Sequence, residues 1–180
     1  MTIRIGCSGF CQARQLYYAH LNLVEVQQTF YRLPRLTTAQ RWREEAPPGF
    51  IVTLKAWQLV THEPSSPTYR KAGLTIPEAD RGRYGAFRPT DEVRDAWART
   101  LEIAQALQAK VAVFQCPVRL TPTAEHVANL RTFFQQVDRG GLLFAWEPRG
   151  PWPDELVQEL CQALNLSLIH ISEPTRQAES

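Results

Sequence analysis

Five times over, this sequence runs from a short alternating apolar stretch into a helix-period stretch, with no hairpin signal between the rounds. That rhythm constrains the fold more than any other feature. Antiparallel neighbours can be joined by a tight turn, whereas parallel neighbours need a long crossover, usually a helix. A parallel sheet with helical crossovers is therefore expected. The strands fall at residues 3–7, 23–27, 50–55, 111–115 and 142–147. Helices are expected at 12–20, 37–46, 91–108 and 154–164, with a further one opened by Thr121-Pro122. Leu16 and Tyr17 are the apolar anchors of the first helix, and Thr37 with Gln40 fits a capping box for the second. Thr90 caps the helix whose buried stripe is Val93, Trp97, Leu101, Ala104 and Leu107. Thr29 to Arg32 reads as a loop, and 57–89 as a long polar one, a length that usually marks function or disorder.

Composition narrows the class. With 180 residues, 44% hydrophobic and 21% charged, one globular domain is expected. No apolar run of about 18 residues exists to span a membrane, and the N-terminus enters a strand pattern with no signal peptide. A cytoplasmic protein is expected, with Cys7, Cys11, Cys116 and Cys161 as free thiols. Cys7-x3-Cys11 reads as packing thiols. A net charge of +2 does not by itself argue for nucleic acid.

The stretch F-I-V-T-L-K-A-W-Q-L-V-T-H, from Phe50 to His62, organises the candidate site. Phe50, Val52 and Leu54 share one face; Ile51, Thr53 and Lys55 share the other. The strand thus delivers an ammonium to its C-terminal end, where α/β barrels build their sites. A barrel predicts helix-facing Ile3, Ile5, Val24, Val26, Val52, Leu54, Ala112, Phe114, Phe144 and Trp146. It predicts inward-facing Arg4, Gly6, Ser8, Glu25, Gln27, Thr53, Lys55, Gln115 and Glu147. Buried charges must be paired, and Glu25 has Arg4 and Lys55 on neighbouring strands. The pattern alone fits both a (β/α)8 barrel and an open doubly wound sheet. A barrel typically takes about 250 residues, so this chain would supply about five of its eight units.

The segments I-R-I-G-C-S-G-F, V-E-V-Q-Q-T-F-Y-R-L-P, L-K-A-W-Q-L-V-T-H, V-F-Q-C-P and W-E-P-R-G-P-W together resemble domain-of-unknown-function family 72, the YecE-like proteins. The resemblance runs from Ile3 to about Asn165 and implies an α/β fold, a TIM (β/α)8 barrel truncated after about five β/α units. The family has no established activity. Its likeness to endonuclease IV barrels suggests nucleic-acid binding by analogy of fold alone. Beyond it, L-S-L-I-H-I-S-E-P-T-R, from Leu166 to Arg176, resembles a translated sequencing adapter. The expected organisation is a partial barrel at 1–165 and a non-native tail at 166–180, which removes His170, Glu173, Arg176 and Glu179 from consideration.

The chemistry expected of the rim follows from residue type. Glu147 is the candidate proton carrier, with Lys55, His62 and Glu25 as further catalytic candidates. Arg149 is suited to an anionic group. Ser8, Gln28, Thr29, Tyr31, Trp57, Thr61, Gln115 and Trp152 are candidate ligand contacts, and the 57–89 segment is expected to close over them. His20, His62 and His126 with Glu25 and Glu147 do not assemble a zinc pattern, so no metal and no cofactor are expected. The expected function is an enzyme acting on a small polar or phosphorylated compound. A nucleic-acid-binding barrel and an inactive fragment are the alternatives. No membrane partner is expected, and oligomeric state is not encoded in these patterns.

Overall fold

Six parallel strands lie side by side in the order in which they occur in the chain. A computed structural model describes residues 3–169. The strands are β1 (Gly6–Ser8), β2 (Leu23–Val26), β3 (Ile51–Lys55), β4 (Val111–Gln115), β5 (Leu143–Glu147) and β6 (Ser167–Leu168). The helices are α1 (Arg14–His20), α2 (Gln28–Tyr31), α3 (Leu36–Glu45), α4 (Gln58–Thr61), α5 (Pro67–Lys71), α6 (Asp91–Ala106), α7 (Ala124–Gln136) and α8 (Asp154–Ala163). Among the described residues no helix is long and apolar enough to cross a membrane.

Strand order separates the two folds that the sequence pattern allowed. A doubly wound sheet reverses direction partway and carries helices on both faces. Here each strand adds on the same side of the last. Right-handed crossovers then put every helix on one face, as in a (β/α)8 barrel. The fold is α/β of barrel type, and the six strands form an arc of it. Among the described residues β1 and β6 each pair with one neighbour, so the arc is open.

Register sorts the side chains as the alternation predicts. Val24 pairs with Val52, Leu54 with Ala112, and Phe114 with Trp146; all are buried on the helix side. Phe114 is fully buried, its ring 5.2 Å from Trp97, 4.9 Å from Phe134 and 5.0 Å from Phe144. Trp97 comes from α6 and Phe134 from α7, so this one residue of β4 seats two crossover helices. Replacing Phe114 by Ala is expected to cost about 3–5 kcal/mol in urea denaturation. A loss below about 1 kcal/mol would mean that the helices do not pack there.

Several local expectations are corrected. Ile3 and Ile5 are 78% and 67% exposed. Pairing of β1 begins only at Gly6, so both isoleucines precede the sheet along its open edge. Arg4 is also outside the sheet and donates to the Gly49 carbonyl, so it does not meet Glu25. Leu16 is 57% exposed: α1 turns Tyr17 into the core, and its neighbour points about 100° away. Thr29 to Tyr31 belong to the single turn α2. Helix α3 starts at Leu36 with no side-chain cap, because Thr37 is already inside it and exposed. Thr123, two residues past Thr121, caps α7 by accepting from the His126 amide. Thr90 caps α6 as expected.

The largest correction concerns residues 57–89. This segment is folded as α4, α5 and a 3-10 turn at Glu78–Arg83. Gln58, Leu59, Val60 and Thr61 are all buried. Gly85, Ala86 and Phe87 cross over them with φ of 77°, 50° and 53°, and donate to the carbonyls of Leu59, Thr61 and Val60 at 2.8, 3.2 and 2.9 Å. Left-handed backbone costs a non-glycine residue about 1–2 kcal/mol. Full burial of Phe87 against Phe133 and Phe134 offsets it. Gly85 has no alternative, because a Cβ there would overlap the His62 carbonyl. The segment is folded and packed at its two ends, while Glu78–Arg83 has no buried residue. Of the tail, Leu166 is buried and Ser167–Leu168 pair with Ala145 and Trp146 as β6. His170, Glu173, Arg176 and Glu179 lie outside the described residues.

Candidate functional site

The inward ends of β1 to β5 carry one connected polar row. Ser8 donates to Glu25 Oε1 at 2.7 Å and reaches Gln27 Oε1 at 3.1 Å. Glu25 Oε1 lies 3.7 Å from Lys55 Nζ. Lys55 donates to Gln115 Oε1 and sits 3.9 Å from Glu147 Oε2. Arg149 closes the row, its Nε and Nη2 both on Glu147 Oε1 at 2.7 and 2.6 Å. The pleat explains the row: Ser8 pairs with Glu25 and Gln115 with Glu147, so side chains at matching register meet on one face.

Burial rises toward the middle. The side chains of Lys55 and Glu147 are 8% and 6% exposed, Glu25 is at 21%, and Arg149 is open at 38%. Two carboxylates and two cations alternate, so the row carries no net charge. Lys55 is the shared partner of both acids. The expected Glu25–Lys55 pair is present.

His62 is buried within range of the Arg149 charge, not in solvent as a loop residue would be. It is 4% exposed, with Nδ1 2.8 Å from Thr61 Oγ1 and the ring edge-on to Phe30 at 4.9 Å. Burial, and then the Arg149 charge, push its pKa down to about 4. It is a neutral imidazole at pH 7. Tyr69 donates to its carbonyl at 2.8 Å, which fixes the backbone there.

Other sequence candidates fall elsewhere. The Thr29 hydroxyl, fully buried, lies 2.7 Å from both the Val26 and Lys55 carbonyls and stitches the end of β2 to that of β3. Trp57 Nε1 donates to the Tyr31 carbonyl at 3.3 Å, and Trp57 lines an outer recess with Leu33, Leu36 and Ile103. Tyr31 serves through that carbonyl, and its ring packs on Phe30. Trp152 is buried, donates to the Leu120 carbonyl at 2.7 Å and packs edge-on to Trp146 at 5.0 Å. It is core and offers no stacking face. Thr61 lines a cavity of about 380 Å³ with Pro117, Leu120 and His126. Gln28 is exposed at the start of α2.

Three contacts were not legible as site features. Gln27, read as inward-facing but not as a site residue, joins Ser8 at the end of the row. The Tyr17 hydroxyl accepts from the Cys7 amide at 2.7 Å and donates to the Leu23 carbonyl at 2.8 Å, a role no local pattern signals. Cys11 Sγ comes within 3.8 Å of Cys7 Sγ, for which the x3 spacing was the only trace. Among the described residues no group of three or more His, Cys, Asp or Glu could hold a metal ion.

Parallel strands in barrel order, with charged side chains converging at their C-terminal ends, define a TIM-barrel-type α/β protein with a candidate site at its rim. The chain belongs to the family described as "Protein of unknown function DUF72", whose family model matches residues 11–180. Two crystal structures of a DUF72 family protein from Enterococcus faecalis V583 are similar to it, with TM-scores of 0.69 and 0.66 at 18% and 20% identity. Each covers 97% of this chain, which spans 62% and 64% of those chains. A DUF72 family protein from Thermotoga maritima MSB8 has a TM-score of 0.63 at 18% identity, covering 91% of this chain and 56% of its own. At these identities the likeness shows the fold alone. The chain thus spans less than two thirds of the length of these relatives. No curated protein matches it.

Proposed function

We propose that the rim is a catalytic site for a small polar or phosphorylated compound, in which a proton is moved by Glu147 and an anionic group is held by Lys55 and Arg149. The observation that carries this reading is Lys55 Nζ held between Glu25 and Glu147 at 3.7 and 3.9 Å, with Arg149 at the open end. An ammonium and a carboxylate side by side offer a proton donor and a proton acceptor within one ligand's reach. Arg149 uses Nε and Nη2 on Glu147 and leaves Nη1 for an incoming oxyanion. Neutral His62, within range of the Arg149 charge, adds no charge of its own to the rim. The reaction class is lyase-, isomerase- or hydrolase-like, and the site lies in the cytoplasm.

Inorganic phosphate is the first probe. Calorimetry is expected to give millimolar binding that drops at least tenfold in Arg149→Ala, whose exposed side chain can be removed without opening the core. Glu147→Gln should keep phosphate binding while losing proton exchange on phosphorylated sugars in D2O, read by NMR. No phosphate binding by the unaltered chain would sink the anion part of the proposal.

A further inference from the structure

We propose that Cys7 and Cys11 form a reversible redox site, an intramolecular disulfide made and broken by exchange with small-molecule thiols and disulfides. Their sulfurs are 3.8 Å apart, against about 2.05 Å in the bond, and the remaining gap is within side-chain rotation. The two partners are unequal. Cys7 is half-buried on β1 and its backbone is pinned by the Tyr17 hydroxyl. Cys11 is exposed in the turn that follows. That turn is built to return: Gly9 has φ of 89°, and its amide donates to the Glu25 carbonyl at 2.8 Å. Phe10, between the two cysteines, packs edge-on to Tyr17 at 5.1 Å and anchors the reversal. An accessible attacking thiol beside a fixed, less accessible one is the arrangement of a dithiol exchange site.

The exchange balances. The Cys11 thiolate attacks a small disulfide, forms a mixed disulfide and releases one small thiol. Cys7 then attacks the Cys11 sulfur and releases the second. Two electrons pass from the cysteine pair to the small disulfide, and the two cysteine protons end, by way of solvent, on the two released thiols. The contact to Cys7 holds the Cys11 thiol above its ordinary pKa, so the exchange runs through a small thiolate fraction and is slow rather than absent. The other two cysteines are placed differently. Cys116 is fully buried with Trp146 Nε1 on its sulfur at 3.2 Å, and Cys161 is half-buried on α8. Ser8 lies inside the ring the disulfide closes, so the bond reaches the Glu25 end of the polar row.

The test uses the full chain incubated with mixtures of oxidised and reduced glutathione, quenched with iodoacetamide and mapped as peptides by mass spectrometry. The expected result is loss of two of the four thiols. The Cys7 and Cys11 peptides should be joined, without a glutathione adduct, and released again by excess reduced glutathione. Cys11→Ser should leave Cys7 as a thiol, and Cys161→Ser should change nothing. Four alkylated cysteines at every ratio, or a stable glutathione adduct on Cys11 with Cys7 still alkylated, would overturn the proposal.

Discussion

Lys55→Met is expected to lower the unfolding free energy by about 3–5 kcal/mol at neutral pH, the cost of breaking a buried ion pair from one side. Among the described residues Lys55 is the one cation between Glu25 and Glu147, and its amine also holds Gln115. Methionine keeps the volume and deletes the charge. Two carboxylates then face each other with little water to screen them, and Gln115 loses its donor. Arg149 still neutralises Glu147 from the open side, which keeps the loss below complete unfolding. The double variant Lys55→Met/Glu25→Gln removes the charge left stranded and should recover about half the loss. Urea denaturation of the single and double variants gives both numbers. A single-variant loss under about 1 kcal/mol would mean that the pair is solvated and that Lys55 is not the hub of the row. Lys55 thus serves both fold and site, so its ligand role is better tested at Arg149.

The second large effect is with acid. His62 has its pKa pushed down to about 4 from an ordinary value near 6.5, chiefly by burial and then by the Arg149 charge. The folded protein therefore binds this proton less readily than the unfolded chain. Stability attributable to His62 is fully present above about pH 6.5 and falls as the pH drops, reaching its full loss below about pH 4. The shift corresponds to about 3 kcal/mol. Carboxylates titrate at the lower end of this window, so the informative quantity is a difference between proteins. His62→Gln should show a shallower decline between pH 6.5 and 5 in urea midpoints. Parallel profiles for the two proteins would mean that His62 is solvated, and its place in the candidate site would fall with it.

Both effects depend on residues whose type was legible before their surroundings were. Alternation placed Val52 and Leu54 on one face and Thr53 and Lys55 on the other, and β3 has that arrangement. Glu25, Gln115 and Glu147 were legible in the same way, because strand alternation has a fixed period of two. Burial of His62 was not legible. Its neighbourhood reads as polar loop, and what buries it is Phe30 from α2, Tyr69 from α5 and the Gly85–Phe87 crossing. Trp57 and Trp152 show how little residue type says about surroundings. Large rings beside strand ends suggested ligand contacts, and both indoles instead donate to main-chain carbonyls in the packed shell. Ile3 and Ile5 carry a strand pattern that pairing does not reach, since an edge residue needs a partner that the pattern cannot supply.

Local periodicity was enough to determine strand, helix, parallel direction and the polar character of one sheet face. Those properties depend only on the spacing of side chains along a short segment. Periodicity left barrel arc and doubly wound sheet open, and tertiary structure decided between them, because strand order is a relation among segments far apart in the chain. It also decided which polar groups meet. Lys55 lies 30 positions from Glu25 and 92 from Glu147, and only the register of β2 to β5 brings them within 4 Å.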